Sequence, residues 1–314
     1  MSPRLGPEVT TAAPPRELGA YLRARDEEIF ALLTLPLGQP RRRAVVLLQG
    51  GAWTPSFGRG RGLRRLAHRL AAEGFHVARF DYHGVGESTG EVRTFRLDEP
   101  FTEDLAAVIR WLGNEHDLKQ IVLMGTCFGA RTALAGAADI PGLEGVALFP
   151  PPVRDLALGE QFTSYPLSWY VKKLFKIRTF RRLLNARFRR GYRQLVKNKM
   201  RILRESRPRR SSDETSRRAL DASPAFLRNL KALLARGLPV YVLYGDADAD
   251  YEDFARARSG ELGAVVDRAG GQLRLDVIPG HVHGMTNIEN QDRVIDLLAE
   301  WVTSAPIQSG SAGL

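Results

Sequence analysis

The sequence predicts an α/β fold: a mostly parallel, doubly wound sheet, interrupted once by a helical insertion. Three observations lead there. Short apolar runs alternate along the chain with segments whose apolar residues recur every three or four positions, as strands alternate with amphipathic helices. The runs at 44–48 and 145–149 are almost wholly apolar, as expected of strands buried on both faces. About 90 residues then separate the run at 145–149 from the next at 239–244, far too long for a bare loop in a compact domain.

Taken in order, residues 1–18, rich in Pro, Thr and Ala, read as a flexible arm. Residues 27–36 are apolar, stop at Pro36 and fit an edge strand or hairpin. The run 44–51 ends in Gly50-Gly51, and 62–74 carries Leu63, Leu66 and Leu70 at helical spacing before a stop at Gly74. A strand at 75–82 is closed by the turn Gly84-Val85-Gly86. Thr102 can cap a helix over 102–112, followed by a strand at 121–124, a small-residue helix at 128–138 and a strand at 145–149 that ends in three prolines. Two more strands, 239–244 and 273–278, precede a closing helix at 290–302. The core is therefore expected over 19–150 and 239–314, with 151–238 as an inserted helical lid.

Composition narrows the function classes. The 314 residues are 44% hydrophobic and 26% charged, which is an ordinary globular profile and excludes disorder as the main state. A single cysteine, Cys127, excludes a disulfide framework. No run reaches the length of a membrane-spanning helix, and the first residues lack an apolar signal core, so a cytoplasmic location is expected. The net charge of +11 is unevenly placed: residues 172–210 carry 17 Lys or Arg and one acid, a net +16, which leaves −5 for the remainder. The average suggests a nucleic-acid binder; the distribution suggests a mildly acidic body bearing one intensely basic segment. In that segment Leu184, Phe188, Tyr192, Leu195 and Ile202 recur by three, four or seven among arginines and lysines, which predicts a basic amphipathic helix.

The chemistry concentrates in Gly125-Thr126-Cys127-Phe128-Gly129, between a strand and a small-residue helix. This is the nucleophile-elbow pattern with cysteine at its centre. Glycines two before and two after the nucleophile let strand and helix pass closely around a strained residue, and the helix N-terminus favours a thiolate. The pattern requires an acid after a later strand and then a histidine. The strand at 239–244 leads into Gly245-Asp246-Ala247-Asp248-Ala249-Asp250, and the strand at 273–278 into Pro279-Gly280-His281-Val282-His283. Cys127, an aspartate of the first loop and a histidine of the second form a candidate triad. The histidines have no organised set of further ligands, so neither a metal nor another cofactor is expected.

On these residues, together with 79–88 (Arg79-Phe-Asp-Tyr-His-Gly-Val-Gly-Glu-Ser88), the chain over about 27–303 resembles the α/β-hydrolase fold superfamily, in a cysteine-nucleophile variant with an inserted lid. The resemblance implies that Asp248 is the acid, with Asp246 and Asp250 as alternatives, and that His283 is the base, with His281 as a neighbour. It assigns the oxyanion donors to the N–H of Phe128 and to Gly51 or Ala52 in the loop after the strand at 44–49. A histidine commonly opens that loop in the superfamily; here Gln49 stands in its place.

Cysteine narrows the reaction, because its acyl intermediate is itself a thioester and stays activated for transfer. Cysteine versions of the fold occur in dienelactone hydrolases and in polyhydroxyalkanoate synthases. The resemblance thus implies a thioesterase or acyltransferase acting on a carrier-protein- or CoA-linked acyl thioester. A lactone or ester hydrolase of dienelactone type is the second reading, and a non-catalytic membrane- or RNA-binding protein with a vestigial triad the third. The basic segment, with Arg187, Arg189, Arg190 and Arg193, would dock an acidic acyl carrier protein or CoA. A membrane surface is a weaker alternative, and nucleic acid weaker still, since no nucleic-acid-binding motif is present.

Overall fold

The computed structural model describes residues 14–51, 62–92, 95–155, 222–283 and 288–304. The chain divides into two units, Met1–Asp155 with Ala222–Leu314, and Leu156–Asp221. The predicted lid residues of the second unit, with the four arginines singled out above, lie outside the described residues.

Eight strands form one sheet: β1 (Glu17–Ala24), β2 (Glu27–Thr34), β3 (Arg43–Leu48), β4 (His76–Phe80), β5 (Gln120–Gly125), β6 (Leu143–Leu148), β7 (Val240–Gly245) and β8 (Leu273–Ile278). Their order is β1-β2-β4-β3-β5-β6-β7-β8. β2 is antiparallel to both β1 and β4, and every pair from β4 to β8 is parallel. The mostly parallel sheet predicted from the alternation is the one observed.

β1 differs from the reading of the sequence, which assigned 1–18 to an arm and left 19–26 without a strand. Leu18, Ala20, Leu22 and Ala24 alternate toward the core, and a turn at Arg25, with φ +54°, sends the chain back into β2. With only two alanines and two leucines inside and Tyr21 outside, the two-residue period is faint in the sequence. β1 is stabilised by its ladder with β2 rather than by its own hydrophobicity.

The helices cover both faces. α1 (Gly62–Ala72) packs on α7 (Ile288–Ser304), and together they seal one side with Leu66, Leu70, Val294, Leu298 and Val302 over Val45, Leu47, Val77 and Met124. On the other side lie α2 (Thr102–His116), α3 (Phe128–Gly136) and α4 (Pro224–Ala235), with α3 packed between the other two. Strand residues alternate between faces, and β3 is buried at every position from Ala44 to Leu48 because both faces are covered. α4 was expected to belong to the insertion. It is instead part of the core unit, capped by the Ser223 side chain and burying Phe226, Leu227, Leu230 and Leu233. The core unit therefore takes in 151–155 and 222–238, which the sequence reading gave to the insertion. α5 (Ala249–Ala257) and α6 (Glu261–Ala269) connect β7 to β8. No helix among the described residues is long and apolar enough to cross a membrane.

Because β3 to β8 are parallel, their C-terminal ends lie along one sheet edge. The chain reverses direction of build between β3 and β5, and such a switch point is where open α/β sheets bind ligands.

Candidate active site

Cys127 sits between β5 and α3 with φ +51° and ψ −116°. Positive φ is sterically costly for a residue with a Cβ, about 1–3 kcal/mol, and persists only where the surroundings impose it. Here they do. Thr126 N–H donates to Leu48 O at 3.0 Å, Gly129 N–H to Thr126 O at 2.8 Å, and Ala130 N–H to Cys127 O at 3.0 Å. The two elbow glycines are steric requirements: a Cβ on Gly125 would run into Gly129 O, and one on Gly129 into the carbonyl oxygens of Leu48 and Gln49. The cysteine is free and 4% exposed.

The N–H of Phe128 belongs to the first turn of α3, where helix donors have no intrahelical acceptor. The Phe128 ring is held by edge-on contacts to Tyr82, Phe95 and Phe101 at 5.5, 5.1 and 4.9 Å between ring centres. The loop after β3 passes beside the nucleophile, for a Cβ built on Gly50 would stand 3.4 Å from Cys127 Cβ. Gly51 is buried in that loop, Ala52 lies outside the described residues, and Gln49 is buried with its carbonyl accepting from Tyr82 Oη at 3.3 Å.

His283 comes to the same place from the loop after β8. Its imidazole is near enough to Cys127 for the two to interact electrostatically, and its Nδ1 lies 2.8 Å from Asp250 Oδ2. This corrects the partner that the resemblance assigns. Asp248, almost wholly buried, spends its carboxylate on backbone: it accepts from the N–H groups of Gly245 at 3.1 Å, Val282 at 3.0 Å and His283 at 3.2 Å. A carboxylate caged by three main-chain donors is poorly placed to reach Nδ1 as well. Asp250, in the first turn of α5, has that position instead. His281 Nδ1 approaches Asp248 Oδ1 only at 3.4 Å, and its side chain is largely exposed. Asp246 accepts from Gly280 N–H at 2.7 Å, and Asn290 donates to the carbonyls of Pro279 and His281, so the start of the histidine loop is tied down.

The sequence brought Asp250 forward only as an alternative. The signal for it was the matched spacing: aspartates at 248 and 250 face histidines at 281 and 283, so two acid–imidazole pairs form side by side. Burial acts against the charged imidazole of His283. The charge of Cys127 and the hydrogen bonds to Asp250 and Cys127 outweigh it, holding the imidazolium well above the ordinary histidine range. Among the described residues no group of three or more His, Cys, Asp or Glu is arranged to hold a metal ion.

A cysteine at the end of β5, a free helix-terminus donor and a histidine after the last strand stand where the nucleophile elbow and base of an α/β-hydrolase fold would stand, which makes this the candidate active site. The chain belongs to the hydrolase family described as serine aminopeptidase, S33, whose profile matches residues 39–290. The description names a serine enzyme, whereas the elbow of this chain carries Cys127. A curated acyl transferase of Photobacterium phosphoreum is 38% identical over 76 residues, covering 24% of each protein, so the chain spans about a quarter of that relative's length. Among solved structures, an esterase of Pyrococcus furiosus superposes with a TM-score of 0.58 at 16% identity, covering 91% of this chain and 93% of that one. A proline iminopeptidase of Mycobacterium smegmatis gives 0.55 at 16% identity over 91% and 98% of the two chains. At such identities these structures speak for the fold alone.

Proposed function

We propose that the protein is a cysteine-dependent acyl-transfer enzyme acting on a carrier-protein- or CoA-linked acyl thioester. The observation that carries the reading is the strained Cys127 beside an imidazole whose Nδ1 is held by Asp250. The curated relative named as an acyl transferase adds support from a different direction.

In this reading the thiol proton already rests on His283, and the Cys127 sulfur attacks the thioester carbonyl carbon. The carbonyl oxygen becomes an oxyanion facing the N–H of Phe128 and a donor from the Gly51 loop, Gly51 or Ala52. Collapse of the tetrahedral species breaks the original C–S bond. The leaving thiol takes the proton back from His283, and an acyl-cysteine remains. His283 then deprotonates an acceptor (water for a thioesterase; an alcohol, amine or thiol for an acyltransferase), whose attack returns Cys127 to its starting state. Asp250 keeps the imidazole in the required tautomer and stabilises its charged form. A free, working thiol suits a reducing compartment, which favours the cytoplasm. The basic segment at 172–210 suits an acidic carrier protein or the phosphates of CoA.

Intact-mass spectrometry after mixing with acyl-pantetheine tests the reading. A single acyl adduct on the wild type and none on Cys127→Ala is expected. Loading by a lactone or simple ester probe and not by the thioester would favour the dienelactone-type reading.

A further inference from the structure

After β6 the chain runs through Phe149, Pro150, Pro151, Pro152 and Val153, all buried. Three consecutive prolines have fixed φ and no N–H, so the segment is stiff and can be gripped only by its carbonyls. Two side chains, from different elements, grip it. Tyr244 Oη donates to Pro151 O at 2.8 Å, and Arg131 Nη1 donates to Pro152 O at 3.3 Å.

Each gripping residue belongs to one half of the site. Arg131 lies four residues after Cys127 on α3, and its backbone N–H reaches Cys127 O at 3.4 Å. Its buried guanidinium also bonds Asp155 and Ser223 Oγ, the residues flanking the insertion. Tyr244 stands one residue before Gly245, whose N–H is held by Asp248, and its ring packs on Tyr251 and Phe254 of α5, the helix that carries Asp250. Phe149 N–H, at the head of the segment, donates to Gly125 O at 2.9 Å. Neither polar head is needed for packing: a phenylalanine would fill the space of Tyr244, and a buried ion pair such as Arg131–Asp155 is commonly replaceable by apolar residues without loss of stability.

We infer that Arg131 and Tyr244 are positioning residues that fix the separation of the nucleophile helix from β7, the strand that leads into the acid-bearing helix, across Pro150–Pro152. The inference rests on Cys127 being the nucleophile and adds what sets its distance from His283 and Asp250. Small misplacement is costly in such a site, on the order of 100-fold per ångström.

The test uses the full chain with Tyr244→Phe, Arg131→Met, Arg131→Lys and the double variant Arg131→Met/Asp155→Leu, which leaves no unpaired charge. Turnover of acyl-pantetheine and the pH profile of Cys127 alkylation by iodoacetamide are measured beside thermal melting. Tyr244→Phe is expected to lower kcat by about tenfold or more with KM within about twofold, and to displace the alkylation profile. Arg131→Lys should recover part of the loss seen in Arg131→Met, and the double variant should stay slow while melting near the wild type. Unchanged kcat and alkylation profile with only a lower melting temperature would overturn the inference. Failure of the wild type to form an acyl adduct strikes the proposed reaction instead, and the alkylation profile then still reads the positioning.

Discussion

His283 Nδ1 lies 2.8 Å from Asp250 Oδ2, while the backbone N–H of the same histidine points at Asp248, so two carboxylates two residues apart serve one histidine in different ways. One orients the ring and the other shapes the loop that carries it. The division separates their expected phenotypes. Asp250→Asn should leave the fold intact and slow acylation of Cys127 by about 10²–10⁴-fold, as an amide on Nδ1 favours the wrong tautomer. Asp248→Asn places an NH₂ against backbone donors and should cost about 1–3 kcal/mol of stability. Single-turnover acylation and thermal melting of the two variants separate these outcomes.

Titration of His283 follows from its neighbours. The proton is held more tightly in the folded chain than in the unfolded one, so above about pH 6.5 the native state binds the extra proton. The stability this contributes is complete below the unfolded histidine's pKa and is lost as pH rises through the folded value. Cys127→Ala removes the neighbour that raises that value, leaving burial to oppose the Asp250 hydrogen bond. The midpoint of His283 measured by NMR should fall in Cys127→Ala and fall further in Cys127→Ala/Asp250→Asn. An unchanged midpoint would mean that the thiol carries no charge beside the ring.

Three glycine-to-alanine changes should behave in three ways. In Gly129→Ala the new methyl meets the fixed carbonyls of Leu48 and Gln49, and a loss of at least about 3 kcal/mol is expected. In Gly50→Ala the methyl reaches only van der Waals distance of Cys127 Cβ, so the protein should fold and acylate slowly. Gly113, inside α2 with open space around its missing Cβ, should gain about 0.5–1 kcal/mol as alanine. Chemical denaturation of all three, with acylation rates for Gly50→Ala, checks the ordering.

The parallel sheet was legible because its strands are apolar on both faces and end in glycines that the turns require, as at Gly125 and Gly245. The elbow was legible for a related reason: the steric demand on Gly125 and Gly129 is local in sequence. β1 was not, since half of its inward residues are alanines and its partner strand stabilises it. Asp250 was only one of three candidates, because which aspartate reaches Nδ1 depends on how many backbone N–H groups converge on Asp248 from a loop 34 residues later. Arg131 gave no signal at all. An arginine in a helix of small residues looks like a solvated position until Asp155 and Ser223, distant along the chain, close around it.

The choice of sulfur over oxygen at residue 127 yields the sharpest prediction about reaction type. Serine fits the same elbow, so Cys127→Ser should keep the fold, His283 and Asp250 in place. Its acyl intermediate would be an oxygen ester. Passing an acyl group from a thioester to a thiol acceptor exchanges one thioester for another and costs little, whereas passing it from an oxygen ester to a thiol is uphill. Hydrolysis is downhill from both. With a thiol acceptor in the medium, the ratio of transfer to hydrolysis should therefore drop in Cys127→Ser by at least about tenfold, equivalent to about 1.4 kcal/mol between the two exits. Product partition from a labelled acyl-pantetheine measures the ratio directly. An equal ratio in the two proteins would mean that the sulfur does not set the fate of the acyl group, and that access of water and acceptor to the acyl-enzyme sets it instead.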